Sequence, residues 1–575
     1  AASIDALLTG TQQIKILITS RTRLRLYHEH SFPIHPLSLT ERSRTPITVE
    51  QALHSNAVKL FVRRAQMVQP EFTLDPGNAA AVAEICERLD GMPLAIELAA
   101  ARTRLLPPAA LLRRLHDRLA LLTTTIADLP ERHQTLRATL DWSYNLLSPA
   151  EQDVFMRLAI FPSGCTLDAI EQVVATPEAT PSLEIVESLL DKSLLNQNSR
   201  NGEPWLSMLE TVYAYAMERL TESGQVAQVW ERCARYYVAQ IEALEDELSG
   251  PQQEQYLAGL AREHDNLRAI LTWLLERSAR QPSDVEAALR LCGVLWRFWW
   301  VRGYLYEGRH WMQRALAVAQ PVPPEIRAKA LRGAGVLARA QGDLESAELY
   351  LTESLALWRE LQSPSGMALA LNSLGVLLFN QRAYERAEPF FEESRLLHQA
   401  LGDQQRVAIA LNNLGNIAFK QGNLEQAAER YSASLQLLRD DHASRQTVAL
   451  IQTNLAEIAR LRENYVGATS ILYESATIYW ELNEVEGLLF CLNNLAEIAL
   501  DRRHGELAAR LLGVTDALYE QIGAVRPPDL AIDYARQINA VRSLIPDQVF
   551  AEHQRQGRST TIDRMLADTV AIITA

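Results

Sequence analysis

The second half of the 575-residue sequence repeats itself every 40 or 41 residues, and this feature limits the possible folds more than any other. A small residue recurs at Gly335, Gly375, Gly415, Ala456 and Ala496. A second small residue follows twelve positions later, and a large apolar residue lies four positions beyond it: Ala347, Ala387, Ala427, Ala468 and Ala508, then Leu351, Phe391, Tyr431, Leu472 and Leu512. A degenerate first copy, RGYLYEGRHWMQRAL, places Gly308 and Met312 in the last two positions.

This pattern predicts stacked helical hairpins. Small residues on both helices allow the two backbones to approach closely, and the large residue fills the space beside them. Because one hairpin cannot bury its apolar face alone, successive hairpins stack into a superhelix with a concave groove. The segments resemble the tetratricopeptide repeat in a form with long helices, with about six copies over residues 291–525. The resemblance implies that a protein or peptide ligand binds in the groove.

Asparagines recur in the helices that would line this groove: Asn372, Asn412, Asn413, Asn454, Asn493 and Asn494. A side-chain amide both donates and accepts, so a row of amides suits the backbone of an extended peptide. The row resembles the asparagine ladder of kinesin light chain repeats. Alternatively, each amide bonds the turn of its own repeat, and the sequence leaves both interpretations open.

Nearby, Trp296, Trp299 and Trp300 have helical spacing, which predicts core packing rather than a base-stacking platform.

The first half contains two motifs about 70 residues apart. ILITSR, residues 16–21, ends an apolar run typical of a buried parallel strand. AAAVAEICERLDGMPLAIELAAAR, residues 79–102, predicts two helices joined at Gly91-Met92-Pro93. Together they resemble the nucleotide-binding core of NB-ARC-type signalling ATPases of the STAND class. The resemblance assigns nucleotide binding to Arg21, which would read the terminal phosphate, and to Pro93 and Leu94, which would lie beside the adenine.

The resemblance implies that a full-length parent protein, of which this chain would be a part, binds ATP or ADP together with magnesium. The sequence nevertheless contains neither the Walker A pattern GxxxxGK[ST] nor a Walker B strand-end aspartate. We therefore expect no cofactor and no catalytic residue for this chain alone, and interpret the chain either as truncated before its P-loop or as a descendant that lost it. Whether any enzymatic activity remains is left open.

Residues 129–222 resemble the winged helix of the same class, with a hairpin turn predicted at Asn201-Gly202. Met208-Leu209-Glu210 occupies the position of the family's Met-His-Asp motif, and Leu209 cannot contact a phosphate as the histidine does. EHDNLRAIL, residues 263–271, also resembles bacterial regulators of this type. Residues 131–222 contain six Lys or Arg against fourteen Asp or Glu, a net charge of −8. Because DNA would repel this charge, we expect no direct DNA binding.

The composition argues against a membrane-spanning protein, a disulfide-linked protein and a zinc protein. The formal net charge is −14, and no apolar run is long enough to cross a membrane. Five cysteines without CxxC spacing predict reduced, buried thiols in a cytoplasmic protein. His28 and His30 are too isolated for a zinc site, so we expect no metal.

We therefore expect a mainly α protein: a remnant of an α/β nucleotide-binding domain, a helical domain and a winged helix, followed by a tetratricopeptide-repeat superhelix. The predicted boundaries are 1–45, 46–128 and 129–222 for the first three parts, 223–290 for a helical connector, 291–525 for the repeats and 526–575 for a C-terminal helical cap. The resemblance implies a signal-transducing regulator that is closed around bound ADP at rest. Binding of an inducer or partner to the repeats would open this closed state, allow ATP to replace ADP and permit self-assembly. The alternative is a non-enzymatic scaffold for protein–protein interactions.

Overall fold

A computed structural model describes most of the chain. The described residues are 30, 36–40, 47–114, 136–174, 183–200, 203–250, 252–277, 281–318, 321–438, 445–482, 484–521, 526 and 528–574. The predicted strand at residues 14–18 and the predicted site residue Arg21 lie outside them. The chain divides into two compact units, residues 1–237 with 261–273, and residues 238–260 with 274–575.

The described part of the first unit is helical except for one β-hairpin. Its helices begin at residue 49: α1 (Val49–His54), α2 (Asn56–Val68), α3 (Ala79–Arg88), α4 (Pro93–Ala101), α5 (Pro108–Arg114), α6 (Leu136–Asn145), α7 (Pro149–Leu158), α8 (Leu167–Ala169), α9 (Leu183–Asp191) and α10 (Glu210–Glu222). Strands β1 (Asn196–Arg200) and β2 (Glu203–Ser207) form the hairpin. Helices α11 (Val226–Ala243), α12 (Gln253–Arg262) and α13 (His264–Arg277) follow, and each of the three contains residues of both units.

The predicted elbow between α3 and α4 is present. Gly91 has a φ of +66°, and a Cβ there would lie 2.4 Å from the carbonyl oxygen of Leu37, so only glycine fits without a shift. Pro93 occupies the first turn of α4, where its missing N–H costs no helical hydrogen bond. The elbow also receives a contact from the winged helix, because Thr211 at the start of α10 donates its backbone N–H to the Asp90 carboxylate over 3.3 Å.

The winged helix is built from α7 to α10 with the hairpin as its wing. Ser148 and Glu151 form a reciprocal capping box at the start of α7. Strands β1 and β2 pair antiparallel up to Arg200 and Glu203, and the predicted turn at residues 201–202 lies outside the described residues. Leu209 is the N-cap residue of α10, and its side chain makes no capping hydrogen bond.

The EHDN motif fastens α13 to the loop after α7. The Ser163 N–H donates to Oδ1 of Asn266 over 3.1 Å, and Nδ2 of Asn266 donates to the Gly164 carbonyl over 2.8 Å. Glu263 accepts hydrogen bonds from the Tyr237 hydroxyl and from Asn266. The motif therefore has a structural role in the first unit. All five cysteines are buried and unpaired, as predicted.

The second unit contains the repeat hairpins and the cap. The paired helices are α14 (Pro282–Val301) with α15 (Leu305–Leu316), α16 (Pro324–Ala340) with α17 (Leu344–Glu360), α18 (Pro364–Asn380) with α19 (Tyr384–Ala400), α20 (Gln404–Lys420) with α21 (Leu424–Leu437), α22 (Arg445–Leu461) with α23 (Tyr465–Glu481), and α24 (Val485–Asp501) with α25 (Gly505–Gln521). The cap contains α26 (Pro528–Leu544), α27 (Asp547–Arg558) and α28 (Ile562–Thr574). None of the described helices is both long enough and apolar enough to cross a bilayer.

The small and large residues of the repeat meet inside each hairpin as the pattern predicts. A Cβ on Gly375 would lie 2.7 Å from the ring of Phe391, and one on Gly415 would lie 2.6 Å from the ring of Tyr431. Both rings are buried. The glycines are therefore required because the large residue of the second helix occupies the space where a side chain would be.

A second repeated feature was not recognised in the sequence. In three hairpins, a buried serine of the second helix donates to a carbonyl of the first helix: Ser354 to Ala328 over 2.7 Å, Ser394 to Ala368 over 2.8 Å, and Ser434 to Ala408 over 2.6 Å. These bonds fix the distance between the two helices at the end of the hairpin farthest from its turn.

Candidate functional site

The inner helices of the array enclose a cavity of about 950 Å³. Its walls come mainly from the first helices of successive hairpins, namely α14, α16, α18, α20 and α22, together with Ser394 and His398 of α19 and residues 245–250. This volume is at the upper end of the range of ~300–1,000 Å³ typical of ligand sites. The predicted concave groove is therefore present as a space that can hold a ligand.

Three of the six predicted asparagines line this cavity, namely Asn372, Asn412 and Asn413. Nδ2 of Asn413 donates to Oδ1 of Asn372 over 3.0 Å, and Nδ2 of Asn454 donates to Oδ1 of Asn412 over 2.9 Å. Asn454 also donates to Asn416 over 3.3 Å. The amides thus connect neighbouring hairpins, an arrangement that neither sequence interpretation included.

The last two asparagines lie on α24, away from this cavity. Asn494 is buried, and its Nδ2 donates to the Phe490 carbonyl of its own helix over 2.9 Å. The Asn493 carbonyl accepts a hydrogen bond from Gln537 of the cap over 3.5 Å. These two residues make structural contacts and do not line the cavity described above, so their predicted ligand contact stays a prediction.

Four arginines line the same cavity and were missed in the sequence: Arg297, Arg332, Arg339 and Arg406. The Arg332 guanidinium lies over the Trp296 ring, 5.0 Å from its centroid. Nε of Arg297 donates to the Leu248 carbonyl over 2.6 Å. Burial, together with repulsion from Arg406, lowers the pKa of Arg297 to about 10. The pKa of Arg332 is also lowered to about 10, mainly by burial; Glu245 opposes this shift, and Arg406 and Arg297 contribute to it.

The tryptophans near this cluster differ from one another. Trp299 is buried in the core as predicted, with 2% of its surface exposed. Trp296 is half-buried, Trp300 is 41% exposed, and both line the cavity. The prediction that all three are core residues is therefore wrong for Trp300, because α14 turns one side to the groove and helical spacing alone does not distinguish groove from core.

His398 adds a buried polar group to the cavity wall. It is 2% exposed, and its Nδ1 has no hydrogen-bond partner among the described residues. Burial lowers its pKa, which favours the neutral imidazole. The Asp403 carboxylate is 3.9 Å away. The cavity therefore combines amides, guanidinium groups, an imidazole and two indole rings.

The nucleotide-binding residues predicted from the resemblance are not brought together in the described part of the chain. Pro93 is exposed at the start of α4, and Leu94 beside it is half-buried. Arg21 lies outside the described residues, so its relation to them is not defined. The assignment of these three residues stays a prediction.

The winged helix offers little positive charge. Helix α9, which precedes the wing and has the position of a recognition helix, contains Glu184, Glu187 and Asp191 and no Lys or Arg. The basic side chains of residues 136–222 that the structure describes are engaged within the protein: Arg137 pairs with Glu218 over 2.7 Å, Lys192 with Glu151 over 2.6 Å, Arg157 with Asp153 over 3.1 Å and Arg219 with Glu222 over 3.1 Å. Within the described ranges, no group of three or more His, Cys, Asp or Glu is arranged to hold a metal ion.

Comparison with protein families confirms the two domain types. Residues 366–440 match the tetratricopeptide repeat, and residues 147–221 match the winged helix-turn-helix domain. A Mycobacterium tuberculosis protein provisionally described as an HTH-type transcriptional regulator is 35% identical over 377 residues, covering 64% of this chain and 40% of that protein. An uncharacterised protein of the same species is 37% identical over 239 residues, covering 41% of this chain and 57% of that protein. The chain thus matches about half the length of these relatives.

One solved structure aligns with nearly the whole chain. It is a signal transduction ATPase with numerous domains and a tetratricopeptide repeat sensor from Pyrococcus horikoshii. The alignment covers 92% of this chain and 75% of that protein, at 13% identity and a TM-score of 0.44. This similarity is too distant to carry an inference about function.

Proposed function

We propose that this chain is the ligand-sensing part of a regulatory protein, and that its repeat array binds a peptide or a peptide segment of a partner protein. The observation that carries the proposal is the cavity of about 950 Å³ between the inner helices, lined by asparagine amides. The provisional description of the mycobacterial relatives supports a regulatory role.

The Asn372–Asn413 pair has the chemistry to hold a peptide backbone. Asn413 uses Nδ2 to reach Oδ1 of Asn372. This bond leaves Nδ2 of Asn372 able to donate to a peptide carbonyl and Oδ1 of Asn413 able to accept from a peptide N–H. The pair could thus bind both polar groups of one peptide residue, whatever its side chain is. Asn412 is better suited to stabilise the array, because it is buried and bonded to Asn454.

The winged helix acts, in this proposal, as a packing module rather than as a DNA reader. Its residues 131–222 have a net charge of −8. Binding of a DNA duplex to this segment would therefore release few counterions and gain little free energy from their release. The family match supports DNA contact as a second candidate function, which the electrostatics of α9 disfavour.

Nucleotide control belongs to the proposal only for a longer parent protein. Pro93 and Leu94 offer one apolar wall for an adenine, and the 575 residues contain no Walker A sequence to hold phosphates. The residues of this chain thus do not fit a complete nucleotide site, and no step through ATP is derived for it. The competing interpretation, a scaffold without switching, makes the same prediction for peptide binding.

The proposal is tested by selecting ligands for the full chain from a random heptapeptide library. We expect Asn413→Ala to weaken a selected peptide about tenfold, the loss of one or two good hydrogen bonds. Asn380→Ala is the matched control, because Asn380 is an exposed asparagine at the end of α18 and does not line the cavity. Equal affinity of both variants for every selected peptide would contradict groove binding.

A further inference from the structure

Of the four arginines that line the cavity, only Arg406 has an ion pair with a carboxylate among the described residues. Three acidic residues also line the cavity: Glu245, Asp246 and Asp403. Glu245 pairs with Lys329, and Asp403 pairs with Arg406 over 3.5 Å and also caps α20. Two of the three carboxylates are therefore already engaged by other groups.

Arg332 and Arg339 differ from the other two arginines, because Arg297 donates to the Leu248 carbonyl and Arg406 pairs with Asp403. Among the described residues, neither guanidinium has an ion pair or a hydrogen bond, and the contact of Arg332 with the face of Trp296 satisfies none of its N–H donors. Both residues are half-buried in the wall of the cavity. An unpaired, partly desolvated guanidinium costs free energy in the absence of a partner. The cost falls when an anion from outside supplies the missing acceptors.

The positions of the two arginines fit one shared ligand. They lie on the same helix, α16, seven residues apart, which is about two helical turns and places them on the same side. Both carry forked N–H donors that match the two oxygens of a carboxylate or the oxygens of a phosphate. The next inner helices along the array, α18 and α20, carry Asn372 and Asn413 in the wall of the same cavity, so an anionic group at the arginines and a peptide backbone at the amides can belong to one molecule.

We propose that this cavity binds a peptide through an anionic group, a carboxylate or a phosphate, and that Arg332 and Arg339 hold that group. The proposal rests on the peptide-binding function above and specifies the chemistry of its ligand. His398 adds a further polar side chain to the wall of the same cavity, and its buried Nδ1 has no hydrogen-bond partner among the described residues. The indole rings of Trp296 and Trp300 provide an apolar surface beside the anion.

The first experiment uses small anions and so does not depend on any peptide. Calorimetry on the full chain compares pyrophosphate with glutarate at constant ionic strength, one as the phosphate source and the other as the carboxylate source. We expect at least one of them to bind, and Arg339→Gln to weaken it at least tenfold. Arg386→Gln is the matched control, since Arg386 is exposed on α19, is ion-paired with Glu348 and lies outside the cavity.

A thermal melt of the same variants separates a binding role from a structural one. Because Arg339 has no ion pair or hydrogen bond among the described residues, Arg339→Gln should leave the melting temperature unchanged or raise it. Arg332→Gln is the second variant, with the contact to Trp296 as its only loss. Failure of both anions to bind, or equal binding by the wild type and Arg339→Gln, would overturn the proposal.

The heptapeptide selection then separates this proposal from the function on which it rests. If the selected peptides are enriched in Asp, Glu or phosphoserine, and this enrichment disappears with the Arg339→Gln variant, the result supports both peptide binding and the anionic site. Peptides that depend on Asn413 but carry no acidic group would overturn the anionic site and leave peptide binding intact. Anion binding that depends on Arg339, without any enriched peptide, would support the anionic site and contradict the peptide function.

Discussion

The small residue inside each hairpin makes a sharp prediction for Gly415→Ala. Alanine is favoured over glycine within a helix by about 1 kcal/mol. The added Cβ, however, would lie 2.6 Å from Cε1 and 2.7 Å from Cδ1 of Tyr431, against a normal carbon–carbon contact of about 3.5–4.0 Å. The ring cannot move away freely, because it is 2% exposed and its hydroxyl donates to Asn416 over 2.7 Å.

Overpacking of this kind costs about 1–3 kcal/mol, so after the gain in helix propensity we expect Gly415→Ala to destabilise the repeat array by a net ~0–2 kcal/mol. Gly259→Ala is the matched control. Gly259 is also inside a helix, α12, and a Cβ there would meet no atom within 4 Å, so this change should stabilise by about 0.5–1 kcal/mol.

The assay is urea unfolding followed by circular dichroism, with amide hydrogen exchange of α20 and α21 to localise the effect. The double variant Gly415→Ala/Tyr431→Leu copies the pair Ala456 and Leu472 of the next repeat. We expect its loss of stability to be smaller than the sum of the two single losses by about 1 kcal/mol or more. If Gly415→Ala stabilised the protein as Gly259→Ala does, the packing argument would be refuted.

Three further predictions concern the first unit and its ligands. Burial opposes ionisation of Glu151, but hydrogen bonds from Lys192, Ser188 and Ser148 outweigh it and lower its pKa to about 2, from an ordinary value of 4.5. Glu151→Gln should therefore lower the free energy of unfolding by about 1–2 kcal/mol at pH 7. In urea unfolding at a series of pH values, the stability difference between the two proteins should disappear as pH falls from about 4.5 towards 2. A difference that stays constant with pH would contradict the assignment. In a duplex-binding assay on the full chain at low salt, we expect no salt-sensitive complex, and micromolar binding would overturn the charge argument. Calorimetry with ATP and ADP should detect no tight binding to this chain, whereas a micromolar dissociation constant abolished by Arg21→Ala would reveal a complete nucleotide site.

The repeat array could be predicted from the sequence because its packing is local and periodic. Gly375 meets Phe391 sixteen residues away within one hairpin, and the same spacing recurs in each copy. The serines that bond the two helices follow the same period, at Ser354, Ser394 and Ser434, so a wider search of the alignment would have found them.

The arginines of the cavity could not be found in this way. Arg297, Arg332 and Arg406 come from three different hairpins and do not occupy equivalent repeat positions, so no period marks them. Their proximity follows from how the hairpins stack, which sequence spacing alone does not give. The hydrogen bond between Asn372 and Asn413 also follows from the stacking of the hairpins, since these residues are 41 positions apart and meet only because their hairpins are neighbours.

The central claim is that the repeat array binds its ligand in the cavity between the inner helices. It is tested most directly by photo-crosslinking a selected heptapeptide that carries a benzophenone group to the full chain, with the crosslinked residues identified by mass spectrometry. We predict crosslinks to cavity residues of α18 and α20, such as Val376 and Ile409, and their loss in excess unlabelled peptide. Crosslinks confined to exposed apolar residues outside the cavity, such as Tyr306 and Leu349, would contradict the account.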